Sequence, residues 1–318
     1  MGHVFGETED APKAEGVQIS VSPGWEGHRL DFLISQELGL SRSYATKLIR
    51  MGRVMVSWSD RVKPALKVQT GGSVSVDLPP PEDLELQPED VPFQVVYEDQ
   101  DIVVVNKPAG LVVHPAPGHW RGTLVHGLLY RYPEMMELNG VRRPGIVHRL
   151  DGTTSGLMVV ARNGLAMEGL IRSFKGRMVE KVYIAAVSGS PCPKEGEIRF
   201  PIGRDPGNRK RMAPVDWGRD AHTAYRTLWS HGGYSLLLCQ IKTGRTHQIR
   251  VHMKAIGHPL VGDRLYGGAC PRGWEVERVF LHSWRLSFQH PRTGKMMSFV
   301  CPLPDELIKF IVQVRRGL

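Results

Sequence analysis

The sequence predicts an α+β protein built in two parts, and three observations point there. Short apolar runs with period-two alternation recur in hairpin-like pairs, with a few helical stretches between them. A Pro-rich, acidic run from Pro79-Pro80-Pro81-Glu82-Asp83 to Pro92 interrupts that patterning and separates a small α/β module from a larger unit. The chain has 318 residues and 41% hydrophobic content, room for one large domain and a small one. Patterning alone leaves the strand order open.

Residues 1–16 carry Glu7, Glu9, Asp10 and Glu15 without an apolar stretch, and read as a flexible tail rather than a signal peptide. Leu30, Leu33, Ile34 and Leu38 recur at helical spacing, and Gly39 stops that helix. Ser41 is a good N-cap and Gly52 a good stop for a second helix. On it Arg42, Ser43, Thr46, Lys47 and Arg50 share one arc, while Tyr44, Ala45, Leu48 and Ile49 share the other; Arg53 follows. Such a basic face is either solvated surface or, since no acid interrupts it, a phosphate contact. Val54 and Val56, then Val74, Val76 and Leu78, alternate as short strands, completing a module over 17–78. The run 79–91 reads as a semi-rigid linker to a domain over 92–318.

That domain opens with Phe93–Tyr97 and Ile102–Val105 as a hairpin, followed by a turn at Pro108 and Gly110. Ile146-Val147 and Leu157–Ala161 are read as strands around the polar stretch His148–Gly156. Asn163–Phe174 suggests a helix and Glu180–Val187 a strand. Gly203–Arg219 is loop-like and basic, with Arg204, Arg209, Lys210, Arg211 and Arg219. It is either a phosphate clamp beside the cleft or a solvated loop. Tyr225–Leu228 and Tyr234–Ile241 resume strand patterning. Ile249, Met253 and Ile256 share a helical face, with Thr246 as cap and Gly257 as stop. Phe280–Phe288 is a late strand, and Asp305–Val314 a terminal helix with Leu307, Ile308 and Ile311 inward.

Net charge of +9 and a pI near 9.5 favour a polyanionic partner. Cys192, Cys239, Cys270 and Cys301 are scattered, without a C-x-x-C pair, which suits a reduced, cytoplasmic setting better than a disulfide framework or a zinc site. His114, His119 and His126 lack companion carboxylates or thiols at ligand spacing, so no metal is expected. No run reaches transmembrane length, and no phosphate-binding or dinucleotide motif is present.

Rigid strands leading into a polar turn can support a reactive group, which makes Asp151 the candidate for chemistry; otherwise it is a turn residue bonded to its own backbone. The run His148-Arg149-Leu150-Asp151-Gly152-Thr153-Thr154-Ser155-Gly156-Leu157 closely resembles the H-R-L-D-x-x-T-S-G-L signature of the RluA/RluD family of RNA pseudouridine synthases. Asn106–Leu111 resembles the family's N-K-P-x-G-L motif, and Thr243–Arg250 its T-G-R-x-H-Q-I-R motif. The resemblance covers about residues 17–304 and lies closest to the branch acting on large-subunit ribosomal RNA. It implies a mostly antiparallel central sheet with flanking helices, preceded by an S-four-type RNA-binding module. It also implies Asp151 as the essential residue, Tyr183 against the target base and Arg250 as partner of the aspartate. Two places depart from the pattern. Ser57-Trp58-Ser59-Asp60 stands where the module usually turns through an Asn-Gly-like pair, and Gly152-Thr153 where the family often has polar or charged residues.

Turning uridine into pseudouridine breaks the bond from the ring nitrogen to the sugar, rotates the base and joins a ring carbon to the same sugar carbon. Nothing is oxidised and no group comes from solution, so no cofactor is implied. An ionised carboxylate is needed in a water-poor pocket, and a guanidinium beside it favours the charge and fixes the oxygens. Asp151 would act as nucleophile or as base on a sugar proton. Arg149 is either a contact for the displaced RNA or a local ion pair. The expected partner is RNA, ribosomal or else transfer RNA, bound by a monomer without a membrane, with Arg42, Lys47, Arg50, Arg53, Arg209, Lys210 and Arg211 as further contacts. Two other classes remain. A hydrolase is disfavoured because the serine of Gly152–Gly156 is misplaced by one position for G-x-S-x-G and no second carboxylate stands near Asp151. The other is a non-catalytic RNA-binding or ribosome-assembly protein.

Overall fold

The structure is a computed structural model that describes residues 15–40, 42–78, 86–116, 119–138, 143–208, 210–268 and 278–317. The expected tail, the Ser41 cap, most of the proline run, Arg209 and Cys270 lie wholly or almost wholly outside the described residues. The chain divides into two compact units, parting between Asp83 and Leu84.

In the first unit, strand β1 (Glu15–Ser20) is followed by helices α1 (Leu30–Glu37) and α2 (Arg42–Arg50), then β2 (Val54–Val56) and β3 (Ser73–Leu78). The three strands form an antiparallel sheet in the order β1-β3-β2. The apolar arcs close over it. Leu30, Leu33 and Ile34 of α1 and Ala45, Leu48 and Ile49 of α2 are buried with Val54, Val74 and Val76. Gly39 and Gly52, at φ +63° and +72°, take the left-handed turn that ends each helix.

The second unit contains β4 (Gln94–Glu98), β5 (Ile102–Lys107), α3 (Leu124–Arg131), β6 (Ser155–Ala161), α4 (Gly164–Lys175), β7 (Glu180–Ser188) and β8 (Glu195–Ile198). Next come β9 (Ile202–Arg204), β10 (Met212–Pro214), β11 (Thr223–His231), β12 (Tyr234–Ile241), α5 (Gln248–Ala255), β13 (Leu281–Gln289), β14 (Met296–Val300) and α6 (Asp305–Arg315). Its nine-stranded sheet runs β4-β5-β6-β13-β7-β12-β11-β8, with β14 on β13. All pairs are antiparallel except β6 with β13. The fold is thus α+β with a mixed, mostly antiparallel sheet. Strands β5, β6 and β7 are buried on both faces, as their continuous Val/Ile/Ala runs require. No helix among the described residues is long and apolar enough to cross a membrane.

Several local expectations are corrected. Ile146 makes only an isolated bridge to Val160, and Val147 leads into irregular backbone, because the chain must turn to present residues 148–154. The basic stretch 203–219 is no plain loop: β9 and β10 pair across it as a small two-stranded sheet. In α6 the inward row is Leu307, Phe310 and Val314, while Ile308 is exposed, because the buried spacing is i, i+3, i+7. The described end of the Pro-rich segment lies on the second unit, where Leu86 is buried in its core and the Glu89 N–H donates to the carbonyl of His126.

Candidate active site

Asp151 sits in a polar turn whose backbone is fixed from both sides. Its carbonyl accepts from the Thr154 N–H at 3.1 Å, and the Gly152 carbonyl accepts from the Gly110 N–H at 2.8 Å. The Lys107 ammonium, fully buried, reaches the carbonyls of Pro108, Leu111 and Gly152 at 2.9, 2.7 and 3.2 Å. Burial, then repulsion from Arg278, pushes its pKa down to about 7, with the Asp151 charge opposing. This lysine ties the turn after β5 to the residue that follows Asp151. Gly156 has φ +111°, and a Cβ there would stand 2.3 Å from the carbonyl oxygen of Ser283. Only glycine lets β6 and β13 pair in parallel at that point.

From a distant stretch, α5 brings the guanidinium. Its cap is not Thr246 but His247, a non-glycine residue at φ +57°, and no side chain bonds the cap. Gln248 holds the turn instead: its Oε1 accepts from Thr243 Oγ1 at 2.7 Å and from the Arg245 N–H at 3.0 Å. Its Nε2 donates to the His222 carbonyl at 3.0 Å. Arg250 then points inward. Nη1 donates to Asp151 Oδ2 at 3.1 Å, while Nε and Nη2 fork onto Asp263 at 2.7 and 2.9 Å. Its guanidinium lies 5.0 Å from the centroid of the Tyr266 ring. Burial opposes the charge on Arg250, but the hydrogen bonds to Asp263 and Asp151 outweigh it and raise its pKa above the usual value. Asp151 Oδ1 has no donor among the described residues, which leaves one carboxylate oxygen free for chemistry.

Tyr183 on β7 lines the same cleft, whose volume is about 530 Å³. Burial raises its phenol pKa far above 10, with the Asp151 charge acting in the same direction and the Ser283 hydroxyl opposing. The phenol therefore stays protonated. The structure thus brings Asp151, Tyr183, Arg250 and Arg149 to one cleft, Arg149 exposed at its edge. Lys210 and Arg211 do not line it.

Arg42, Lys47, Arg50 and Arg53 belong to the first unit, where the cluster proves less free of acid than its sequence suggests. Arg42 shares the buried Asp31 with Arg29, and Arg53 pairs with Asp77 at 2.8 Å. Lys47 and Arg50 are exposed and have no carboxylate partner among the described residues.

Sequence reasoning missed Asp263, Tyr266 and His247. The Tyr266 hydroxyl accepts from the Met212 N–H at 2.8 Å and lies 2.8 Å from His247 Nδ1, whose other nitrogen is 4.0 Å from Asp151 Oδ2. The Gly262-Asp263 and Tyr266-Gly267 pairs mark a tight polar turn, but nothing in them shows that the carboxylate faces Arg250. Of His114, His119 and His126, His126 closes the start of α3 by accepting from the Thr123 N–H at 3.2 Å, and His119 is exposed. Among the described residues the acids and histidine close enough to share an ion are Asp99, Asp101 and His290. The fork of Arg292 on Asp101, at 2.7 and 2.6 Å, explains that group as an ion-pair network.

Residues 101–255 match the model of a family described as RNA pseudouridylate synthase. The chain is 43% identical over 303 residues to the uncharacterized RNA pseudouridine synthase YlyB of Bacillus subtilis, covering 95% of this chain and 99% of that one. It is 42% identical over 301 residues to ribosomal large subunit pseudouridine synthase D of Neisseria meningitidis, covering 91% of this chain and 79% of that one. Among solved structures it resembles human RNA pseudouridylate synthase domain containing 1, with TM-score 0.55 and 28% identity, across 76% of this chain and 98% of that chain.

Proposed function

The chain belongs to the RluA/RluD family of RNA pseudouridine synthases, and from that premise we propose that it isomerises uridines of large-subunit ribosomal RNA through Asp151, Arg250 and Tyr183. The observation that carries this is the Arg250 bridge. One guanidinium is locked by a buried carboxylate, Asp263, and offers its remaining Nη1 to Asp151. The Asp151 carboxylate is thereby oriented in the cleft beside a fixed positive charge, with Oδ1 left to face the reacting nucleotide.

In this reading the target uridine leaves its stack and enters the cleft, at lowest cost from an unpaired loop. Asp151 Oδ1 attacks the nucleotide or takes a sugar proton while the glycosidic bond breaks. The freed uracil turns against Tyr183 and bonds the same sugar carbon through a ring carbon, as the Asp151 adduct breaks or the sugar proton is returned; the ring carbon then loses its proton and the freed nitrogen gains one. The raised phenol pKa supports Tyr183 as a stacking surface and hydrogen-bond donor rather than as a phenolate base. Arg149 at the rim would meet the displaced strand. The first unit would serve as the S-four-type RNA grip, with Lys47 and Arg50 among the exposed cations that have no carboxylate partner among the described residues. The large-subunit target is supported by the name of the Neisseria meningitidis relative, a ribosomal large subunit pseudouridine synthase.

Tritium release from ring-labelled uridine in large-subunit ribosomal RNA, with transfer RNA in parallel, tests the reading. The Asp151→Asn chain should bind the RNA nearly as tightly as the unaltered chain and release no tritium. Turnover by that variant refutes the role of Asp151, and release from transfer RNA alone refutes the substrate.

A further inference from the structure

The cleft has a second wall whose chemistry the isomerisation leaves unused. Lys181 precedes Tyr183 by two residues on β7, so both side chains leave the same face of the strand, and both line the cleft. Lys181 is only 7% exposed, yet its ammonium makes no hydrogen bond or ion pair with any described residue. What it has is the ring of Phe174, 5.7 Å from the nitrogen to the centroid. Arg177 and Arg245 line the same wall. Burial first, then these two charges, pushes the Lys181 pKa down to about 8.

The nearby acids are engaged elsewhere. Asp220 Oδ2 accepts from Arg177 at 2.7 Å, and the Asp220 carbonyl accepts from Arg245 Nε at 2.8 Å. Glu180 Oε1 takes Gln240 and Arg285, each at 3.1 Å. Asp151 Oδ2 is held by Arg250. A buried ammonium among other cations is unfavourable unless something supplies the missing anion. Lys181, Arg177 and Arg245 line the same cleft as Asp151 and Tyr183.

We propose that Lys181, flanked by Arg177 and Arg245, is a phosphodiester subsite that grips the backbone next to the everted uridine. This rests on RNA being the substrate and not on the role of Asp151. The wall supplies a positive anchor on the Tyr183 side, opposite in purpose to the Asp151–Arg250 pair, and holds the nucleotide by its backbone while the detached base turns.

The test uses a synthetic RNA stem-loop that the full chain modifies, with each linkage around the reacting uridine replaced singly by a neutral methylphosphonate. One neutral linkage should weaken binding to the unaltered chain about tenfold and hardly affect Lys181→Gln. Lys181→Gln should itself weaken binding to the natural RNA about tenfold, and Lys181→Arg should restore most of it. If no linkage matters to the unaltered chain, the subsite does not exist; this arm needs no variant to fold. If the linkage effect persists in full in a folded Lys181→Gln chain, another residue holds the phosphate and the assignment fails. Phosphorus NMR with inorganic phosphate separates the other source: saturable binding that Lys181→Gln abolishes, without any linkage effect, means a free-anion site and overturns the proposal. Loss of turnover in Asp151→Asn with an unchanged linkage profile leaves the subsite standing, whatever it says of catalysis.

Discussion

Arg250 touches two carboxylates and treats them differently: Asp263 receives a fork and Asp151 a single bond. Asp263 has a side chain that is 1% exposed, so its contribution is to aim the guanidinium rather than to meet substrate. Replacing Asp263 with Asn keeps the volume but loses one accepting oxygen and the counter-charge. Turnover should then fall about 100-fold through misplacement of Arg250, with RNA affinity little changed and the melting temperature lowered. Single-turnover kinetics beside RNA titrations would measure the split; equal loss in both would argue against an aiming role. None of this was legible from Asp263 in the sequence, because a carboxylate directly after a glycine looks like turn chemistry until α5 is folded over it. Asp151 could be singled out as a candidate, because its neighbours form a long and unusual string.

Among the elements, the parallel contact of β6 with β13 is the most demanding. It depends on Gly156, where any Cβ would press into the Ser283 backbone at 2.3 Å. Gly156→Ala should destabilise the chain by roughly 3 kcal/mol or more, since both partners are backbone and neither can rotate away. Denaturant unfolding would show it; a change below about 1 kcal/mol would mean that the strands can part locally without cost. In α2 the apolar arc was readable from periodicity, and Ala45, Leu48 and Ile49 are indeed buried. The basic arc was readable only as a count of charges. Asp31, one helix earlier, takes Arg42, and Asp77, on β3, takes Arg53. A Lys47→Ala/Arg50→Ala chain should therefore lower the salt dependence of RNA binding by nearly two phosphate contacts, about 0.7 to 0.9 in log–log slope each. Arg42→Ala should lower it less, because that arginine is already shared with Asp31. Equal slopes for the two chains would contradict this division.

Across the whole molecule, stability is tied to histidines that the fold keeps neutral. His282 is fully buried; its Nδ1 lies 2.8 Å from Ser155 Oγ and its Nε2 3.2 Å from the Cys301 carbonyl. Burial, reinforced by Arg278, pushes its pKa down to about 4. Burial, with Arg149 and Arg143 adding to it, does the same to His114, also to about 4. Both folded values lie below the unfolded 6.5, so below that pH the unfolded chain takes up protons that the folded chain refuses. Stability should fall as pH drops from about 6.5 to about 4 and then level off for these two groups. The slope approaches about 1.4 kcal/mol per histidine per pH unit. Thermal unfolding between pH 7 and 4.5 checks this, and a flat melting temperature over that range would remove the two histidines from the account.

The chain's linear order pointed to the string around Asp151 as the candidate site and to most of the segments that form strands or helices. Those properties are local: apolar period, a glycine stop, and the string around Asp151 can all be read within a few residues. Only the tertiary structure decided which charges meet. Arg250 stands 99 positions from Asp151 and 13 from Asp263, and the strand order β6-β13-β7 sets late strand β13 between two earlier ones. Pairings of that kind depend on long-range packing, because a buried charge chooses its partner by geometry in three dimensions and leaves no periodic mark along the chain.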